Sequence, residues 1–368
     1  MGRLSHLPTR TELSALIVLI ATAHFVGAQA PARMDTSGTI VGIVAMKDGG
    51  LPLAYSVASI AALGRERFSN DQGVFVLSDL PAGQVLVRVR HLGYSPVDLS
   101  IAVHAGRVDT VHVALTHIAV RLTAMEVRAY GPCTNPGVPH TGADSAFATV
   151  FEQLRQNAEQ YRLLTATYPF VSSSERTMSN LFANGESKIE SIDTISVDSR
   201  TGWVYKPGTV VMNQGSRRIG GARMFMNIPT LVHFADRTFL ENHCFYNGGL
   251  EVVDGTELLR IDFTAAARIN DPDVNGSMYL DPSNFQIRRS ILRLTRIPRE
   301  LTGLRETEAT TYFGELLASV PVIAGIESVN RMDARPSVRN AIAEANEQQR
   351  LLQVHFLKGM PGADVRKP

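Results

Sequence analysis

Residues 38 to 116 form a succession of short apolar-alternating or β-branched segments, each closed by Gly, Pro, Asp or Asn, with no helical stretch between them. Segments of that length and period can bury only one face each, so they must stack as two sheets over a shared core. Thr39 to Ala45, Ala54 to Ala61 and Val74 to Leu77 read as strands, followed by Gln84 to His91, Val97 to Val103 and Val108 to Leu115. In Gln84 to His91 the alternation is clean: Val85, Val87 and Val89 face one way and Arg88 and Arg90 the other. These six segments predict a β-sandwich, and the apolar run after His117 is a candidate seventh strand.

Several turn motifs recur in order along this stretch: Gly42, Leu51-Pro52-Leu53-Ala54, Asn70-Asp71-Gln72-Gly73-Val74-Phe75, Leu80-Pro81-Ala82-Gly83 and Gly93-Tyr94. Together they resemble the carboxypeptidase regulatory-like domain. The resemblance implies a transthyretin-like (prealbumin-like), seven-stranded sandwich of the kind found after carboxypeptidase catalytic domains and at the N-termini of exported bacterial proteins. Gly73 and Gly83 fall where strand-joining turns need positive φ. The family's usual Thr-Asp before the turn glycine is replaced by Ser69-Asn70-Asp71-Gln72-Gly73, a change to the turn and not to the sandwich. A catalytic carboxypeptidase domain would need a His-x-x-Glu pair and a distant His around zinc. None of the ten histidines is followed three residues later by Glu, so the resemblance implies the accessory module and not the peptidase.

The first thirty residues read as a secretory signal. Arg3 and Arg10 supply positive charge, Leu13 to Ala23 is an uncharged apolar core, and Ala28-Gln29-Ala30 has the small-x-small form of a cleavage site. The apolar run is broken by His24 and Gly27, short of the ~20 residues a spanning helix wants. A mature chain with no transmembrane segment, exported to the periplasm or the outer-membrane surface of a bacterium, is the expectation. In that oxidising setting Cys133 and Cys244 are expected to pair. Their bridge would close a loop of about 110 residues, worth about 4–5 kcal/mol in the chain-entropy model.

With 36 basic against 35 acidic side chains, the chain lacks the basic excess that phosphate neutralisation demands, which argues against nucleic acid as a partner. Two cysteines are too few for a disulfide scaffold, a four-cysteine zinc site or an iron–sulfur cluster.

After a Gly/Pro-rich joint from Tyr130 to Gly142, residues Asp144 to Leu163 carry Phe147, Val150, Phe151, Leu154 and Ala158 on one helical face. Strand patterns then return at Leu164 to Tyr168, Ser187 to Val197, Thr209 to Met212 and Leu250 to Phe263. They continue through Gly276 to Leu280, Phe285 to Thr295, Tyr312 to Glu315 and Pro321 to Asn330. Polar residues alternate along them, so one face is wet or lines a cavity. The expected architecture is mainly β: the sandwich, then an antiparallel half-barrel-like sheet with one or two packing helices. The expected divisions are 1–30 signal, 36–118 sandwich, 119–163 linker and amphipathic helix, 164–331 β-rich domain, and 332–368 terminal helix and tail, the helix spanning Ala341 to Gln353.

Catalytic constellations are weak. Asp271, Asp273 and Asn275, followed by Gly276, satisfy the first half of a calcium-loop spacing, but Pro282 stands where a bidentate Glu is needed. The same residues are what a hairpin turn requires, and the turn is the reading adopted. His233 and His243, with Asp236 and Glu241 between them, match no metal signature and read as packed or surface histidines. Arg217-Arg218 beside Gly220-Gly221 could hold an anion, and reads as a solvated loop. Trp203, Tyr205, Phe225, Phe234, Phe239 and Phe245 read as core rather than a sugar platform. There is no nucleophile elbow, phosphate loop or dinucleotide fingerprint. No catalytic residue and no cofactor is assigned. The reading is a non-enzymatic envelope protein that binds a protein or carbohydrate partner. The alternatives are a carrier of a lipid or other hydrophobic ligand in the half-barrel, which requires an apolar cavity there, and a metal-dependent hydrolase of peptides or glycans.

Overall fold

The computed structural model describes residues 37–119, 130–139, 145–214, 223–301, 303–333 and 340–359. The signal-peptide segment, most of the apolar run after His117 and the Arg217-Arg218 pair lie outside the described residues.

Strand β1 (Ser37–Met46) alternates buried and half-buried residues along its first eight positions, as a strand between two neighbours over one core must. It is followed by β2 (Val57–Ile60), β3 (Arg65–Phe68), β4 (Val74–Pro81), β5 (Gly83–Arg90), β6 (Val97–Val103) and β7 (Val108–Leu115). Two sheets result, ordered β4-β1-β7 and β3-β2-β5-β6. Ile40, Val44, Phe75, Leu77, Val87 and Val89 meet between them, all buried. At Gly42 the missing side chain is a packing requirement: it pairs across the ladder with Phe75, whose ring occupies the space a Cβ would need. Gly73 and Gly83 hold φ of 75° and 129°, as the turn reading expected. Asn70 closes its turn by accepting the amides of Gln72 and Val74 through Oδ1, at 3.0 and 2.9 Å. Most of the candidate run after His117 lies outside the described residues, while Arg65–Phe68 supplies a seventh strand. Its outward residues are charged, so it gave no apolar alternation to read.

Helix α1 (Ser145–Thr167) follows, and its face of Phe147, Val150, Phe151, Leu154 and Ala158 is buried as expected. Each large apolar side chain there contributes about 1.5–3 kcal/mol at most. Leu164 to Tyr168, read as a strand, instead extends and closes this helix. The chain continues through β8 (Phe170–Phe182), β9 (Ser187–Asp198), β10 (Val211–Gln214), β11 (Arg223–Met226), the short helix α2 (Arg237–Leu240), β12 (His243–Val253) and β13 (Thr256–Ala265). It ends with β14 (Val274–Leu280), β15 (Ile287–Leu294), β16 (Leu304–Leu317), β17 (Val320–Met332) and β18 (Ile342–Phe356).

Nine of these strands make one antiparallel sheet, ordered β12-β13-β14-β15-β16-β17-β18-β8-β9, which does not close into a barrel. Residues 250 to 263 are not one strand, because Asp254 and Gly255, both at positive φ, turn β12 into β13. The terminal helix is also corrected: residues 341 to 353 form most of β18. Ala, Glu, Gln and Arg favour a helix there, but the segment fills the slot between β17 and β8 and pairs with both. Two ladders of backbone hydrogen bonds outweigh a propensity difference of a few tenths of a kcal/mol per residue.

One side of the sheet carries Leu259, Ile261, Phe263, Met278 and Leu292, and α1 packs there with Tyr205, Leu231, Phe234 and Phe239. Asn157, fully buried on α1, donates to the Phe285 carbonyl (2.8 Å) and accepts the Ile287 amide (3.1 Å), pinning the helix to the β14–β15 hairpin. The sandwich is seated on the same body. Val57 and Phe68 pack against Leu163, Leu164, Tyr168, Val320 and Val322, and the Gly93 amide donates to Gln153 Oε1 (2.8 Å). Cys133 and Cys244 are disulfide-bonded with Cα atoms 5.7 Å apart, tying the joint to β12.

Candidate functional site

The half-barrel holds a cavity of about 400 Å³. Its apolar wall comes from Tyr161 on α1, Phe170 on β8, Val322, Ile323 and Ile326 on β17, and Leu351 on β18. Register explains the convergence: Leu351 pairs with Ser174, Gln349 with both Arg176 and Ile326, so these side chains share a face. Ser172 and Ser174 supply the polar part of the floor. Arg200, with a side chain 61% exposed and paired to Asp198, stands at the rim.

Trp203 forms the side of the cavity opposite the sheet, and two layers of buried contacts hold it. Its ring stacks on His233, with centroids 4.8 Å apart. The Thr230 amide, which can only donate, reaches His233 Nδ1 at 2.9 Å. Nε2 therefore carries the proton and donates to the Trp203 carbonyl at 3.2 Å. Burial lowers the His233 pKa, in keeping with a neutral ring. The Trp203 indole N–H is buried and has no partner among the described residues.

Two residues further on, Tyr205 donates to Asp273 Oδ2 at 2.8 Å, and the Gly208 amide reaches the same oxygen at 3.0 Å. Asp273 Oδ1 accepts the Val274 amide at 2.8 Å and lies 3.6 Å from His243 Nε2. Burial alone would raise the Asp273 carboxyl, but hydrogen bonds from His243, Gly208 and Tyr205 prevail and hold it below the usual range. This buried charge cluster anchors the 203–210 segment, and Trp203 with it, to the start of β14.

The candidate calcium residues therefore do other work. Asp273 is spent inside the core, and Asn275 Oδ1 accepts the Ala265 amide at 2.8 Å. Asp271 packs beside Gly208. The two histidines do not converge either: His233 faces Trp203, His243 stacks on Phe239, Asp236 caps α2 through the Phe239 amide, and Glu241 pairs with Arg237. Among the described residues no group of three or more His, Cys, Asp or Glu is placed to hold a metal ion. Of the aromatic set, Tyr205, Phe234, Phe239 and Phe245 are core, while Trp203 also lines the cavity. Sequence reasoning missed Tyr161, Phe170, Ile326 and Leu351 as a wall. Phe170 sits on a strand whose Ser-rich run hides its period, and Leu351 on the segment read as helix.

Residues 39–116 match the family model of the carboxypeptidase regulatory-like domain, about a fifth of the chain. No curated protein matches the chain. Among solved structures, a type II cohesin–X-dockerin complex from Acetivibrio cellulolyticus is 14% identical, with TM-score 0.20. That match covers 23% of this chain, and this chain spans 65% of that structure's length. A putative outer membrane lipoprotein-sorting protein domain from Vibrio parahaemolyticus is 11% identical over 57% of this chain and 94% of its own, with TM-score 0.30. A LolA superfamily protein from Nitrosomonas europaea is 9% identical over 59% of this chain and 97% of its own, also with TM-score 0.30. At such scores these likenesses leave the functional reading to the cavity itself.

Proposed function

We propose that the chain is an exported, non-enzymatic binding protein of the bacterial cell envelope whose half-barrel holds a hydrophobic ligand. The cavity between Trp203 and the sheet carries this reading. Its volume of about 400 Å³ lies in the range of small-molecule sites. Its wall is mostly apolar; His233, which also lines it, has both ring nitrogens engaged in holding Trp203 and Thr230, and Asp273 and His243 lie outside the lining. An acyl chain, apolar along its length, suits such a wall. Export rests on the signal-like residues 1–30, and among the described residues no helix is long and apolar enough to cross a membrane. The regulatory-like sandwich, seated firmly on the half-barrel, is read as a spacing or docking module toward an envelope protein or carbohydrate.

Trp203 is the chain's single tryptophan, so its fluorescence reports on the cavity alone. Titration of the delipidated protein with oleate should give a saturable emission change near one equivalent. Ile326→Asp, which places a charge in the wall, should remove it. Absence of a saturable change in the unsubstituted protein, with no lipid co-purifying in native mass spectrometry, would reject the ligand.

A further inference from the structure

The seam between the sandwich and α1 contains a second concavity, of about 490 Å³, with the opposite chemistry. The register of β3-β2-β5 aligns Glu66 with Ser59 and Arg88, and Phe68 with Val57 and Arg90. These side chains share the sheet face turned away from the sandwich core and toward the helix. Glu152, Gln156 and Arg162 face them from α1, and Arg65 stands at the end of the cleft.

Four guanidinium groups meet two carboxylates here, and the carboxylates do not neutralise them evenly. Glu66 takes Arg90 at 3.1 Å and Arg162 at 3.5 Å, while Glu152 bonds Arg155, which does not line the cleft. Arg65 donates to the Ser78 carbonyl, and Arg88 lies 3.8 Å from Asp98. Neither has a carboxylate inside the cleft. One further polar group is left without a partner: Arg90 Nε is buried and makes no hydrogen bond among the described residues. Buried donors are rarely left unpaired, so this N–H, beside two guanidinium groups that lack a carboxylate inside the cleft, marks the place of an absent acceptor.

We propose that this cleft, independent of the apolar cavity, binds a phosphate group between the sandwich and α1. Planar guanidinium forks match phosphate geometry, and a tetrahedral anion offers acceptor oxygens to sheet and helix together. The phosphate belongs either to a free small molecule or to a lipid headgroup.

Calorimetric titration of the full chain separates these sources. One arm uses inorganic phosphate and glycerol phosphate, the other phosphatidylglycerol vesicles with phosphatidylcholine vesicles as the blank. Saturable binding is expected in one arm, and the arm in which it occurs names the source. Arg88→Gln, at a half-exposed position that folding tolerates, should weaken binding about tenfold, the loss of one charge-assisted hydrogen bond. Glu66→Gln should strengthen it, because the substitution frees Arg90 and removes the opposing charge, while Arg162 keeps its pair with Glu159. Arg305→Gln, at a pair with Asp333 outside the cleft, should leave it unchanged. No saturable binding in either arm overturns the site. So does equal weakening by Arg305→Gln, or an affinity that Glu66→Gln leaves unaltered.

Discussion

His91 Nε2 lies 3.3 Å from the Ser319 hydroxyl, a contact that joins the sandwich to the turn between β16 and β17. On its other side Nδ1 lies 3.1 Å from Ser56 Oγ, whose own proton goes to the Leu53 carbonyl at 2.9 Å. The ring therefore donates through Nδ1, and in its neutral form accepts the Ser319 hydroxyl through Nε2. Burial pushes its pKa down to about 4. The unfolded chain takes up the proton near pH 6.5 and the native chain only near 4, so stability is full above that window and falls as pH drops through it. The loss should approach about 3 kcal/mol. Chemical denaturation at pH 7.5, 6 and 5 should show the decline, and His91→Gln should flatten it; an equal slope in both proteins would remove His91 as its source.

Asn157 offers a test of how α1 is fixed. Replacing it with Leu keeps the bulk but strands the Phe285 carbonyl and the Ile287 amide in the core. Each stranded group costs about 1–3 kcal/mol, so Asn157→Leu should destabilise the protein by about 2–5 kcal/mol in urea unfolding despite its greater hydrophobicity. A stability gain would mean that the helix is held by its apolar face alone.

The Cys133–Cys244 bridge spans a sequence separation of 111, so most of its effect should fall on the unfolded chain. Cys133→Ser/Cys244→Ser is expected to lose about 2–5 kcal/mol, with little change in circular dichroism. Non-reducing mass spectrometry of the unsubstituted protein should find no free thiol; two would contradict the pairing.

What could be read from the chain follows the distribution of its apolar residues. The sandwich announced itself because Val85, Val87 and Val89 alternate with charged neighbours, and the turn residues Asn70, Gly73 and Gly83 carry their own conformational signals. Phe147 to Ala158 marked α1 in the same way. Arg65–Phe68 escaped because its outer face is charged, and β8 escaped because one wall of the half-barrel is made of Ser172 and Ser174 rather than Val or Ile. β18 was misread because Ala, Glu and Gln describe a helix until two neighbouring strands claim them. The cavity draws its wall from these same segments, so it was as obscure as they were. The Asp273–Tyr205–His243 cluster joins residues 68 apart in its shortest hydrogen bond, a relationship no local spacing could reveal.

The place of β18 between β17 and β8 bears on how such a molecule is made. Phe356 pairs with Phe170, so a strand near the start of the half-barrel waits for one at its far end. A nascent chain emerging from its N-terminus can complete the sandwich early, yet must keep β8 and β9 apart from the rest of their sheet until β18 has arrived. Stopping synthesis before β18 would leave two orphaned halves with raw margins, a target for chaperones and proteases rather than a slightly smaller protein.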